Sequence, residues 1–123
     1  VDDSMTIREG LRRLLEGDYE VSAVQSGVSA IRAITLDKPD LVLLDYDMPI
    51  CDGRHVLEML RSEKEFADVP VIFLTSRDDP NSVKKVLDLK PEGYLLKHLK
   101  PTEIRKRVDQ FFKKKNAEQA GNV

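Results

Sequence analysis

The sequence predicts a single α/β domain in which a parallel sheet is covered by helices. The chain has 123 residues, of which 41% are hydrophobic, so it is long enough to bury one core and too short for a second folded domain. Short apolar runs alternate with amphipathic stretches of helical spacing, as in chains built from successive strand and helix units. The run at 41–44 is apolar without interruption, which is typical of a strand buried on both faces of a parallel sheet.

The predicted elements alternate along the whole chain. Ser4 is a suitable N-cap, and the apolar residues after it have the spacing of an amphipathic helix that closes near Gly17. Ser26 and Gly27 open a second helix, and the Asp-Gly pair at 52–53 is a turn signal between later elements. The full order is a helix at 5–17, a strand at 19–24, a helix at 27–34, strands at 41–44 and 69–74 with a helix between them, a helix at 83–89, a strand at 93–96 and a helix at 102–112.

The start of the chain suggests one further strand. Asp2 and Asp3 stand where a first strand should already have ended, and only Val1 remains of that strand. We therefore expect a five-stranded sheet whose first strand is mostly missing from this sequence. Such a strand normally lies in the middle of the sheet, so its loss would leave apolar side chains without partners.

Composition argues against several classes of function. The formal net charge is -2, so the chain lacks the strong positive field of nucleic-acid-binding proteins, and we expect no direct contact with nucleic acid. No apolar stretch approaches the roughly 20 residues of a membrane helix. Cys51 is the only cysteine, which excludes an internal disulfide and suits the cytoplasm. We assign residues 1–112 to the domain and the polar residues 113–123, which include three consecutive lysines, to a tail or linker.

Polar residues follow the ends of the predicted strands. In open α/β sheets, ligands bind outside the carboxyl ends of the strands. The residues at those ends are Asp2 and Asp3, Asp45, Thr75 and Lys97. Three acids, a hydroxyl and an ammonium group are therefore expected at one edge of the sheet.

These groups suit a metal-assisted phosphoryl transfer. Carboxylates held so close repel one another unless a cation neutralises them, and Mg²⁺ fits because the site offers oxygen ligands and little nitrogen or sulfur. A carboxylate beside a metal can attack phosphorus and form an acyl phosphate. Asp45 is the predicted nucleophile because it ends the most hydrophobic strand and lies centrally among the others. Thr75 and Lys97 could each bind a phosphoryl oxygen.

In this pattern the chain resembles the receiver domains of two-component response regulators, and the resemblance covers nearly its whole length. The matching motifs are the acidic pair Asp2-Asp3, the phosphoacceptor segment of Asp45 with Met48-Pro49 and Asp52-Gly53, the switch hydroxyl Thr75 and the lysine Lys97. The intervals of thirty residues from 45 to 75 and twenty-two from 75 to 97 also resemble those of the family.

The resemblance implies a flavodoxin-like, doubly wound fold with strand order 2-1-3-4-5 and helices on both faces. It implies that a histidine kinase or phosphotransfer protein is the phosphoryl donor. It also implies that Mg²⁺ is held by Asp3, Asp45 and the backbone carbonyl of Asp47, with Asp2 acting through water. The domain would be a signalling module and not an enzyme, with at most slow self-catalysed phosphorylation and dephosphorylation.

The resemblance also implies a switch and an output face. Tyr94 matches the aromatic residue that turns inward when the Thr75 hydroxyl moves toward the phosphoryl group, which changes partner affinity at the last two helices. A homodimer through those helices is one arrangement of that face. The sequence leaves open the output partner and whether a further domain follows.

One residue of the phosphoacceptor site departs from the family. His98 follows Lys97, where members usually have proline, often after a cis peptide bond. A cis bond before a residue other than proline costs about 2.5–4 kcal/mol, so we expect a trans or shifted loop here.

Two further charges lie near the site. Asp47 and Arg77 each follow a predicted site residue by two positions, after Asp45 and Thr75. One hypothesis is that they pair across the phosphoryl group and lengthen its life by excluding water. The alternative, that they are two solvated loop charges, is equally compatible with the sequence.

Two other functions compete with the phosphoacceptor hypothesis. The run at 41–47 also fits the hydrophobic-Asp-x-Asp signature of haloacid-dehalogenase-like phosphatases, although those enzymes usually carry it on their first strand and need a longer chain. The other alternative is an interaction module that has kept the fold but lost phosphorylation, which His98 and the incomplete first strand would favour.

Overall fold

The structure is a computed structural model that describes residues 1–76 and 79–121. It consists of three strands and five helices in this part of the chain. Their order is α1 (Met5–Leu15), α2 (Gly27–Leu36), β1 (Val42–Leu44), α3 (Gly53–Ser62), β2 (Val71–Thr75), α4 (Pro80–Leu87), β3 (Gly93–Leu96) and α5 (Pro101–Gly121).

The three strands form one parallel sheet in the order β1-β2-β3. Val42 of β1 is paired with Val71 of β2, and Ile72 of β2 is paired with Gly93 of β3. This is the arrangement predicted for the third, fourth and fifth strands of the 2-1-3-4-5 order. The parallel α/β class is therefore confirmed.

Helices pack on both faces of this sheet, because alternate residues of a strand point to opposite sides. On one face, Val71 and Phe73 of β2 belong to a core cluster with residues of α2, α3 and α4. On the other face, Ile72 and Leu74 pack with Ile104 of α5 and with residues of α1. The fully buried pattern of β2 follows from this double cover, and the doubly wound arrangement is confirmed.

Helix starts are fixed by local side chains. The side chains of Ser4, Ser26, Asp52 and Asp79 cap α1, α2, α3 and α4, each accepting from a backbone N–H three residues later. The fourth helix begins earlier than predicted, at Pro80, because proline is favoured in the first turn of a helix.

The strand predicted at 19–24 is wrong, since residues 20–24 adopt no regular secondary structure. A strand needs a hydrogen-bonded neighbour, and this segment has one such bond to the start of the chain, from Asp2 N to Val24 O at 3.1 Å. Between the segment and β1 lies a cleft of about 430 Å³, lined by apolar side chains that include Val21, Ile34 and Leu41. The predicted count of five strands is therefore not reached among the described residues.

Helix α5 continues past residue 112 without a break and reaches Gly121. The division of the chain at residue 112 stays a prediction. None of the helices in the described ranges combines the length and the hydropathy needed to cross a bilayer.

Candidate functional site

The carboxyl edge of the sheet gathers three carboxylates. Asp45 directly follows β1, and its backbone N–H donates to Val1 O at 2.9 Å, while Asp2 is held by its bond to Val24. These backbone contacts place the start of the chain against the end of β1. Carboxylate oxygens of Asp2, Asp3 and Asp45 lie within 4.8 Å of one another. Asp2 and Asp45 are only 3% and 2% exposed, whereas Asp3 is exposed.

Lys97 joins this cluster from the end of β3. Its Nζ lies 2.8 Å from Asp2 Oδ2 and 3.2 Å from Asp45 Oδ2. Its backbone N–H donates to the carbonyl of Thr75 at 2.8 Å, which fixes the start of its loop against the end of β2. Thr75 is itself fully buried at this edge. The structure thus brings the predicted acids, hydroxyl and lysine to one edge of the sheet.

Burial and charge shift the protonation of this cluster. Burial, followed by repulsion from Asp2, raises the pKa of Asp45 to about 6, and these effects outweigh the opposing influence of Lys97. For Lys97, burial alone would lower the pKa, but hydrogen bonds to the two aspartates outweigh it, so the pKa is raised. Lys97 thus places an ammonium group between the carboxyl groups of Asp2 and Asp45.

The donor set fits a hard divalent cation. All three clustered side chains offer carboxylate oxygen, which Mg²⁺ prefers, and no histidine or cysteine belongs to this cluster among the described residues. Two of the acids are buried, where unneutralised charge is costly, so a cation beside Asp3 would relieve their repulsion. The structure therefore supports an acidic pocket able to hold Mg²⁺.

The loop after β1 packs tightly around Asp45. The backbone N–H of Asp47 donates to Asp45 Oδ1 at 3.3 Å, and the Asp47 side chain is exposed. Gly53 opens α3 directly against this loop, where an added Cβ would collide with the carbonyl oxygen of Asp45 and come within 3.0 Å of Tyr46 Cα. Only glycine allows so close an approach. Arg77, the proposed partner of Asp47, lies outside the described residues.

Tyr94 lies in β3, and β2 separates it from the strand that ends before Asp45. Its ring centroid is 5.8 Å from that of Phe73, and its side chain packs against the core cluster under α3 and α4. The aromatic residue expected to act as a switch is therefore half-buried against the core, beside the strand that ends at Thr75.

The loop at His98 contains no cis peptide bond, and none occurs elsewhere in the described residues, so the expectation of a trans bond here is confirmed. The backbone N–H of Leu99 donates to Leu96 O at 3.1 Å and closes a turn around Lys97 and His98. His98 is exposed, and replacing the usual proline leaves Lys97 within reach of both aspartates.

Arg8 of α1 and the N-cap residue Ser4 support the site, and sequence analysis missed this role for both. Arg8 Nη1 donates to the backbone carbonyl of Asp2 at 2.9 Å, and the backbone N–H of Ser4 donates to Asp2 Oδ1 at 2.9 Å. Together they orient Asp2 toward Lys97. A signal for Arg8 was present, because a cation in the first turn of a helix opposes the helix dipole and usually has a compensating partner.

Comparison with protein families gives one match over most of the chain. A family model described as the response regulator receiver domain matches residues 1–109. Response regulator MprA of Mycobacterium leprae (strain TN) is 34% identical over 121 residues, covering 98% of this chain and 52% of the relative. Two-component response regulator ORR3 of Oryza sativa subsp. indica is 28% identical over 116 residues, covering 93% and 88%. The chain thus spans about half the length of the MprA relative.

Solved structures agree with this match. The signal receiver domain of a signal transduction histidine kinase from Syntrophus aciditrophicus has a TM-score of 0.80 at 32% identity, covering 89% of this chain and 84% of that one. A chemotaxis protein, CheY4 of Vibrio cholerae, has a TM-score of 0.82 at 24% identity, covering 89% and 92%, and supports the fold alone.

Proposed function

The chain belongs to the response regulator receiver domains, and on that basis we propose that it accepts a phosphoryl group on Asp45 from a phosphohistidine. One observation carries the proposal. Asp45 is 2% exposed and is held 3.2 Å from the Lys97 ammonium group, in a cluster whose carboxylates include Asp2 and Asp3. A buried carboxylate between a fixed cation and a cation-binding pocket is suited to attack phosphorus.

The proposed reaction is a direct displacement. A carboxylate oxygen of Asp45 forms a bond to phosphorus as the bond from phosphorus to the donor's imidazole nitrogen breaks, and that nitrogen leaves with the electron pair. The nucleophile must be ionised. The pKa of Asp45, about 6, lies below neutral pH, so most of the carboxyl group is in the reactive form.

Two side chains and a bound metal ion would stabilise the transferred phosphoryl group. Lys97 supplies an ammonium group for one phosphoryl oxygen, and Thr75 a hydroxyl for another. Mg²⁺ bound by Asp3, Asp45 and the backbone carbonyl of Asp47, with Asp2 acting through water, would neutralise further negative charge. Arg8 and Ser4 would hold Asp2 in place for this role.

Phosphorylation would then be read at the face of α4, β3 and α5. When the Thr75 hydroxyl moves toward the phosphoryl group, the Tyr94 ring turns further inward and the surface of this face changes. A homodimer through α4 and α5 is one readout, and an output partner or a further domain is another. We place the protein in the cytoplasm, where a histidine kinase or phosphotransfer protein would supply the phosphoryl group.

Asp47 and Arg77 remain candidates for setting the lifetime of the acyl phosphate. The backbone of Asp47 already contacts Asp45, so its side chain starts beside the site. Replacing both Asp47 and Arg77 with alanine is expected to shorten the lifetime of the phosphorylated state, measured by loss of radiolabel. An unchanged lifetime would show that the two residues are solvated loop charges.

The function is tested by phosphorylation with acetyl phosphate, with and without Mg²⁺. Mass spectrometry should show one added phosphoryl group that requires the metal and is lost in Asp45→Asn. Asp37→Asn is the matched control, because Asp37 is an exposed aspartate at the end of α2 and should leave uptake intact.

The same sample distinguishes the alternative functions. Beryllofluoride with Mg²⁺ should shift amide resonances from Asp45 through Thr75 to Tyr94. A folded protein with no phosphoryl uptake and no such shifts would instead be an interaction module. Membership of the receiver family argues against the phosphatase hypothesis, and steady turnover of an aryl phosphate is not expected.

A further inference from the structure

Arg61, near the end of α3, connects two loops through one guanidinium group. Its Nε donates to Leu89 O at 2.8 Å and its Nη2 to Lys90 O at 3.3 Å, in the loop between α4 and β3. Its Nη1 donates to Ala67 O at 3.1 Å and to Val69 O at 2.8 Å, in the loop between α3 and β2. Because the guanidinium group is planar and rigid, these four contacts fix both loops to each other and to α3.

One of these loops begins directly after α4. The backbone N–H groups of Leu89 and Lys90 donate to Val86 O and Leu87 O, both at 3.0 Å, and close the end of the helix. Lys90 has a φ of 53°, a left-handed conformation in which the chain cannot continue the helix. The guanidinium group of α3 therefore holds the two carbonyl groups at which the chain leaves α4.

The two ends of α4 are held in different ways. All of its residues lie in the described ranges, and two of them are buried, Ser82 at 2% and Val86 at 0% exposed. Val86 is in the last turn, and Leu89 just after it packs against the core cluster. At the start, the Asp79 side chain accepts from the backbone N–H of Ser82 at 2.9 Å, a contact within the first turn that moves with the helix.

The start of α4 lies close in the chain to the residue that would move on phosphorylation. Pro80, its first residue, follows Thr75 by five positions, and Thr75 ends β2 at the edge of the sheet that carries Asp45. A movement of Thr75 would therefore act on the start of α4 first. The end of α4 lies at the opposite edge, where the backbone N–H of Glu92 donates to Val71 O at 2.7 Å.

We propose that Arg61 is an anchor that keeps the end of α4 in place while phosphorylation displaces its start, so that the helix pivots about residues 88–90. This inference rests on the proposed function of Asp45. A helix with few buried residues is displaced at low cost, whereas moving its end would break the charge-assisted hydrogen bonds from Arg61 to Leu89 and Lys90.

The anchor would divide the surface of α4 into a constant part and a part that reports phosphorylation. Leu87, which is 56% exposed in the last turn, would be presented in the same way in both states. Asn81, exposed in the first turn, would change its position. A partner that distinguishes the two states must therefore contact the first turn, because a partner that binds both states equally cannot report the difference.

Amide hydrogen exchange with and without beryllofluoride and Mg²⁺ tests the anchor, because it measures the local opening of each hydrogen-bonded turn. The amides of Ser82 and Val83 report on the start of α4, and those of Leu89 and Lys90 report on its end. In the unsubstituted chain, we expect beryllofluoride to change the exchange rate at the start by at least about fivefold and at the end by less than about twofold.

Arg61→Lys tests whether the guanidinium group is the anchor, since an ammonium group keeps the charge but cannot reach both loops. Exchange at Leu89 and Lys90 should become about tenfold faster without beryllofluoride, and beryllofluoride should then change it by at least about fivefold. Arg54→Lys is the matched control, because Arg54 lies in the first turn of α3 and pairs with Glu58 at 3.0 Å. It should behave like the unsubstituted chain.

The outcomes separate the anchor from the proposed function. An equal response at both ends of α4 in the unsubstituted chain would overturn the anchor, and so would exchange at Leu89 and Lys90 that is faster in Arg61→Lys but does not respond to beryllofluoride. Resonance shifts at Asp45 and Thr75 without a change along α4 would overturn the pivot and leave the proposed function intact. If beryllofluoride changes nothing in the unsubstituted chain, the proposed function is wrong and this inference fails with it.

Discussion

The two sides of β1 differ in how completely they are packed. Toward β2 and β3, the strands are hydrogen-bonded in register and covered on both faces, and Phe73 is fully buried. Toward residues 20–24, β1 meets Val1 and then a cleft of about 430 Å³. The difference shows that strand propensity alone does not make a strand. Residues 20–24 have the composition of a strand, but in the described structure they have almost no hydrogen-bonded neighbour with which to form a sheet.

The candidate site spans both sides of this boundary. Thr75 and Lys97 are supplied by the well-packed side, Asp2 and Asp3 by the other, and Asp45 lies between them. Lys97 connects the two sides through its ion pairs with Asp2 and Asp45. We therefore expect a ligand bound at the site to stabilise the side at Val1 and residues 20–24 more than the side at β2 and β3.

The largest expected effect is the difference between core substitutions on the two sides. Phe73→Ala should lower the free energy of unfolding by about 3–5 kcal/mol, because it leaves a cavity beside Tyr46 and Tyr94. Val21→Ala, at the half-buried lining of the cleft, should cost about 0.5–1 kcal/mol. Urea denaturation measures both, and similar losses would show that the two sides are equally well packed.

Filling the cleft between β1 and residues 20–24 should reduce the difference in packing between the two sides of β1. When five alternating valine and isoleucine residues precede Val1, we expect the free energy of unfolding to rise by about 2–4 kcal/mol. Each buried side chain contributes about 1.5–3 kcal/mol, and part of this is offset by about 1–2 kcal/mol per residue for ordering the backbone. An extension of five serines is the control. Equal urea midpoints for the two extensions would mean that the cleft does not accept a strand.

Asp45→Asn should stabilise the metal-free protein at neutral pH by about 2–3 kcal/mol. Burial raises the pKa of Asp45 from 3.8 to about 6, so between these values the folded state binds a proton that the unfolded state has lost. Stability contributed by this group is thus greatest below pH 3.8 and falls as the pH rises through 6. The substitution should remove this dependence, which Tm measured from pH 4 to pH 8 in chelator would reveal. An unaltered profile would mean that Asp45 titrates normally.

The smallest effects concern a polar contact on the well-packed side. Arg61 donates to the backbone carbonyls of Leu89, Ala67, Val69 and Lys90 at 2.8–3.3 Å. Arg61→Lys should lower the free energy of unfolding by about 1–2 kcal/mol, since an ammonium group cannot reach all of these acceptors. The control Arg12→Ala breaks only exposed ion pairs with Glu9 and Glu16 and should change it by less than about 0.5 kcal/mol. Equal urea midpoints for both variants would contradict the role of Arg61.

Sequence analysis predicted most of the fold and the content of the candidate site. Periodicity located every helix, because an amphipathic pattern and a capping residue such as Ser4 or Asp52 are local signals. Strand ends indicated Asp45, Thr75 and Lys97, because the carboxyl ends of parallel strands lie at one edge of a sheet. The positive φ of Ile50 was not predicted, since a β-branched residue rarely adopts it and its sequence gives no signal for it.

Local sequence patterns predicted the alternation of elements, the parallel class of the sheet and the residues that meet at the strand ends, whereas the order of the strands was implied by the family resemblance. Tertiary structure alone decided whether residues 20–24 could pair, how Arg8 supports Asp2 and how strongly burial perturbs the pKa of Asp45. The physical reason is the separation along the chain over which each effect acts. Helix and strand periodicity is written in neighbouring residues, whereas pairing, desolvation and backbone strain depend on groups that are distant in the chain and meet only when it folds.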